Sequence, residues 1–145
     1  MKKLFFLILF VATATLSQAQ VSKMVGQWNT YDDKTGDLRS TVNIYEEKGE
    51  YKAVITTLYE KDASGKFQVM KAPYAKEYEG VVGTHLFKEM KIDGDQLKGK
   101  IYDPESTKTY NAKVTYKAKT DELIVRGSLD KAGLLGRSQT WKRKK

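Results

Sequence analysis

The stretch IYDPESTKTYNAKVTY, Ile101 to Tyr116, decides the fold class. In its second half Tyr110, Ala112, Val114 and Tyr116 alternate with Asn111, Lys113 and Thr115. A period of two puts the first set on one face and the second on the other, as in a half-buried strand. Asp103-Pro104 marks a corner, because Pro presets φ and Asp bonds the backbone of its own turn. Upstream of it, Leu97, Gly99 and Ile101 alternate with Lys98, Lys100 and Tyr102. Two amphipathic strands with a short polar turn between them form an antiparallel hairpin.

The same grammar extends in both directions. Gly26–Tyr31, Leu38–Glu46, Tyr51–Leu58, Leu86–Ile92, Leu123–Gly127 and Arg137–Arg143 read as strands. Lys48-Gly49 and Asp93-Gly94 turn the chain between neighbours. About eight strands follow one another by hairpins, each with one apolar and one charged face. An all-β, antiparallel up-and-down barrel suits that order and leaves no exposed edge. A two-sheet sandwich is the structural rival. An eight-stranded barrel is either filled by its side chains or holds one small ligand.

Alternation fails from Glu60 to Gly83, where Pro73, Gly80 and Gly83 discourage a long helix. Connections this long without regular structure are usually lids, binding loops or disordered segments. Gly80 and Gly83 would permit hinge movement, so the expectation is a lid.

The N-terminus reads differently. Lys2 and Lys3 precede an apolar run, Leu4 to Leu16, and Ser17-Gln18-Ala19 supplies small residues where an export peptidase cuts. The run is shorter than the roughly 20 residues that span a bilayer. The expectation is a signal peptide over residues 1–19, a mature chain starting at Gln20, and a single β-barrel domain over 20–145. The protein would then be exported, to the periplasm or outside the cell. Cleavage takes Lys2 and Lys3 away, lowering the formal net charge from +8 to +6. With no cysteine the chain has neither a disulfide framework nor a lipid-modified cysteine, and must stand on its core alone.

Three pieces of sequence together are familiar: Gly99 to Pro104 with Lys108-Thr109-Tyr110, then Leu123 to Gly127, then Leu135 to Trp141. In order and spacing they resemble the bacterial exported proteins of the domain of unknown function 2147 (DUF2147) family. The chain departs from that family's usual pattern where Ser106-Thr107 replace a glycine after the Asp-Pro corner, and at Ala72 to Lys76 in the long connection. Gly26-Gln27-Trp28 also resembles the Gly-x-Trp start of lipocalin-like barrels. That likeness implies an arginine of the last strand, Arg137 or Arg143, against the tryptophan. Of the two, Arg137 is expected to cover Trp28.

Catalytic chemistry finds little support. His85 is the only histidine, and one His without Cys cannot supply a zinc site. The acid pairs Asp32-Asp33, Glu46-Glu47, Asp93/Asp95 and Asp121-Glu122 all fall at bends, where carboxylates favour turns. No nucleophile elbow or phosphate loop occurs. The expectation is a protein that is not an enzyme and has no cofactor, metal or nucleic-acid partner. Its basic tail, Lys142 to Lys145, suits weak contact with an anionic membrane surface.

Two readings remain. In the first, the barrel binds an apolar or amphipathic small molecule lined by Ile44, Ile55, Leu97, Ile101, Tyr110, Val114, Tyr116 and Val125. The hydroxyls of Tyr110 and Tyr116 would orient it, and small residues at Ala53, Gly99 and Ala112 would leave it room. In the second, the barrel is filled and serves a structural or interaction role in the cell envelope. Gly26, Trp28, Asp103, Pro104, Gly127, Arg137 and Trp141 are expected to hold the frame in either case.

Overall fold

The computed structural model describes residues 18–145, so most of the expected signal peptide, residues 1–17, lies outside the described residues. Among the described residues, nine antiparallel strands form one sheet: β1 Gly26–Tyr31, β2 Leu38–Glu47, β3 Glu50–Lys61, β4 Phe67–Val69, β5 Phe87–Asp93, β6 Gln96–Asp103, β7 Lys108–Lys117, β8 Glu122–Ser128 and β9 Gly136–Arg143. Their order, β4-β3-β2-β1-β9-β8-β7-β6-β5, is a meander in which β9 returns to β1. The sheet curls as a lipocalin-like barrel, and the sandwich is set aside.

Register explains the single dry face. Leu97, Val114, Val125 and Gln139 are direct partners across β6 to β9 and all point inward. On the outer side Lys98, Lys113 and Arg126 are likewise partners. One face therefore buries Leu97, Val114 and Val125 while the other stays wet.

The seam between β3 and β5 is where the structure departs from the expected smooth closure. β4 pairs with the end of β3, Tyr59 opposite Val69 and Lys61 opposite Phe67, and the Met70 N–H donates to Leu58 O at 2.8 Å. The chain then leaves the sheet through residues 71–82, including a 3-10 turn at Lys76–Tyr78. It returns beside the same strand, with the Gly83 N–H donating to Ile55 O at 2.8 Å and the Leu86 N–H to Ala53 O at 2.7 Å. β4 and β5 are thus two parts of one interrupted strand, which reconciles nine elements with about eight expected. The expected structureless connection is for this reason partly sheet, and only its middle is free of ladder bonds. Below Ala53 no ladder joins β3 to β5 among the described residues, so closure is partial.

Gly99 of β6 is needed beside the bulge of β5. A Cβ there would meet Glu89 O at 2.6 Å and Met90 Cα at 2.7 Å, both backbone atoms of the bulged β5. The expectation that Gly99 leaves room for a ligand is corrected: β5 itself occupies the space.

Candidate binding site at the open end of the barrel

One end of the barrel is sealed. A helical turn at 18–22 carries Val21, and the following turn carries Met24; both side chains are wholly buried. Trp28 above them is also wholly buried, and its Nε1 donates to Met24 O at 2.8 Å. Arg143, the register partner of Trp28, lies with its guanidinium 4.1 Å from the indole ring centre. Its remaining donors reach Lys23 O at 2.6 Å, Val25 O at 3.2 Å and the Asp121 carboxylate at 2.8 Å.

The expected cover by Arg137 is therefore corrected. Arg137 lies at the opposite end, opposite Gly127, where it pairs with Asp33 at 3.1 Å. Arg137, Gln139, Trp141 and Arg143 share one face of β9 by period two, so parity admits either arginine. Only the β1–β9 register selects Arg143.

The seal also claims one of the expected ligand contacts. Tyr116 stands edge-on to Trp28, with centroids 6.5 Å apart, and its hydroxyl donates to Asp121 at 2.9 Å. Burial pushes the Asp121 carboxyl up, but Arg143 and Tyr116 outweigh it and hold the group below its ordinary 3.8. Burial first, and then Asp121, pushes the Tyr116 hydroxyl up. Tyr116 is part of the plug and does not line a cavity.

Midway along the axis the interior is packed. Ile44, Leu97 and Val114 are wholly buried, and Ile55 and Val125 nearly so. Phe87 and Trp141 stack almost parallel, with centroids 6.1 Å apart. Ala53 and Ala112 are buried in the same cluster. These five expected lining residues are brought together, but as a core.

The other end is less finished. Ile101 and Tyr110, direct partners on β6 and β7, are only half-buried. A Cβ on Gly127 would meet Ile101 Cγ2 at 3.6 Å and Tyr110 Cβ at 3.7 Å, ordinary contact distances at which a methyl group fits without a clash. Met70, Tyr78, Val81 and Val82 of the long connection also pack half-buried against the core. The Asp103-Pro104 corner borders this end, with Asp103 accepting the Glu105 N–H at 3.0 Å.

Polar groups gather beside it. The β1–β9 ladder pairs only Trp28 with Arg143 and Asn29 with Lys142, and then the strands diverge. A depression of about 310 Å³ opens there, lined by Tyr31, Asp33, Gln139 and Lys142 among others. Asp33 spans it, accepting a hydrogen bond from Gln139 at 3.3 Å and forming an ion pair with Arg137. In the sequence Asp33 reads as a turn residue and Gln139 carries no signal of its own; the two meet where β1 and β9 separate.

A family described as "Uncharacterized protein conserved in bacteria" (DUF2147) matches residues 26–143. The chain belongs to that family. No curated protein matches it. A solved structure described as "Protein HP1028 from the human pathogen Helicobacter pylori belongs to the lipocalin family" is similar. That likeness has a TM-score of 0.62 at 21% identity and covers 83% of this chain and 82% of the other. It bears on the fold alone. Within this DUF2147 chain, an arginine of the last strand, Arg143, does lie against Trp28 of Gly26-x-Trp28.

Proposed function

We propose that this DUF2147 protein is an exported, non-catalytic binding protein for an amphipathic small molecule with an anionic head. The supporting observation is the contrast along the barrel axis: the Trp28 end is sealed, whereas Ile101 and Tyr110 at the other end remain half-buried beside Gly127. Binding sites are mostly apolar, with a few polar groups that fix orientation. An apolar tail would lie against Ile101 and Tyr110. Its head would meet Arg137, which is 69% exposed and shares its carboxylate contact with solvent.

The packed middle of the barrel favours the second reading, a filled barrel with no ligand, and limits any ligand to the open end. Titration with a fatty acid and with the corresponding fatty alcohol separates the two. Saturable binding of the acid, weaker for the alcohol and lost in Gly127→Val, supports the site. No saturable binding of either would leave the filled barrel. For export, N-terminal sequencing of the secreted chain should begin at Gln20; retention of Met1 in a membrane fraction would refute cleavage.

A further inference from the structure

The outer wall of the barrel carries an arrangement that folding alone does not favour. Lys91 is the register partner of Lys98, Lys98 of Lys113, and Lys113 of Arg126, so four cations stand in one row across β5 to β8. Like charges directly opposite each other on a sheet are destabilising. Lys91, Lys98 and Lys113 pair with no carboxylate among the described residues. Lys88 and Lys100, also direct partners, extend the basic area on the same wall.

The loop from Leu129 to Leu135 adjoins this row. It folds back on the wall: Asn111 Nδ2 donates to Leu129 O at 3.2 Å and Arg126 Nε to Gly133 O at 2.7 Å. Ser128, on the outer face, is buried beneath it and donates to Asp130 O at 2.7 Å. The Asp130 carboxylate accepts the N–H groups of Leu134 at 3.0 Å and Leu135 at 2.7 Å. These bonds hold the backbone and turn the leucines outward. Leu129, Leu134 and Leu135 are 74%, 80% and 67% exposed.

We propose that this wall and loop dock the protein on an anionic lipid membrane, with the leucines entering the interface and the cation row meeting lipid phosphates. Apolar anchors beside basic residues are the composition of interfacial binding. The leucines project from the surface and do not line a groove, so they suit a partner that can be penetrated. The row supplies the charge complementarity, because its cations have few acids of their own to meet. The site lies outside the barrel and does not depend on the proposed ligand.

The test is co-sedimentation of the chain with vesicles of phosphatidylcholine alone, or of equal parts phosphatidylcholine and phosphatidylglycerol. Binding is expected to the mixed vesicles only, and to weaken with added salt. Lys98→Glu with Lys113→Glu should weaken it at least about tenfold. Leu134→Ser with Leu135→Ser should weaken it comparably, whereas Lys144→Gln with Lys145→Gln should not. Lys98→Gln with Lys113→Gln should fall between wild type and the reversal, and covers the case in which the reversal disturbs folding, as judged by near-ultraviolet circular dichroism. Absence of binding, equal binding to both vesicle types, or a loss that follows only the tail variants would overturn the proposal. So would a protein partner held by this wall while both vesicle types stay unbound. Fatty-acid titration of the same variants keeps this outcome separate from that of the open-end site.

Discussion

The two ends of the barrel are made from the same strands and differ in what is brought to them. At the sealed end, residues distant in sequence converge: Met24 and Trp28 from the start of the domain, Tyr116 and Asp121 from β7 and its turn, and Arg143 from the last strand. At the open end the contacts between distant residues are partly exposed polar ones, Asp33 with Arg137 and Gln139, and apolar surface is left half-covered. Stability is expected to concentrate where such contacts are buried, and adaptability where they are exposed.

Substitutions on the two sides should break or sharpen that contrast. Trp28→Ala should have the largest effect, a loss of about 3–5 kcal/mol in chemical denaturation, as for other large core truncations. Arg143→Ala should follow at about 2–3 kcal/mol, because it uncovers the indole and leaves a half-buried carboxylate without its cation. A loss equal to that of Arg137→Ala would erase the distinction between the ends. Thr107→Gly should act in the opposite direction, stabilising by about 1 kcal/mol. Thr107 has a φ of 59°, which a β-branched side chain adopts only under strain.

Arg137→Ala should be the smallest, within about 0.5 kcal/mol of wild type, since the arginine itself is mostly exposed and Gln139 still donates to Asp33 without it. Acid sharpens the sealed end further. The folded-state value of Asp121 is lowered, so its contribution is fully present above its ordinary 3.8 and is lost as pH falls through the lowered value. The stability gap between wild type and Asp121→Asn should therefore narrow as pH drops below 3.8. A gap that stays constant across that window would mean the carboxylate charge is not what Arg143 and Tyr116 hold.

Much of the wall was legible in the sequence, because period two is a local property that each strand displays by itself. The β6–β7 hairpin shows it plainly, and Asp103-Pro104 falls at the turn as read. β4 was not legible, since its 3 residues are too few to show alternation. Gly99 was read as a gap because sequence reports the missing side chain and not the β5 backbone that fills its place. The choice between Arg137 and Arg143 needed the register of two strands at opposite ends of the chain. The glycine missing after the Asp-Pro corner was noticed, but its meaning emerged only with the backbone angle of Thr107. Asp33 and Gln139 escaped for a related reason: their meeting depends on where β1 and β9 part.

The interrupted strand has a consequence for how this chain can vary. Residues 71–82 leave and rejoin the wall beside Leu58 and Ile55, three positions apart on β3, or about 10 Å. The barrel's register is set on either side of that gap by bonds the excursion does not make. The segment is therefore a cassette: its length and composition can change while the wall around it keeps its pairing. Its sequence can be exchanged without rebuilding the barrel, and an engineer can graft a new one there or replace it with a short turn.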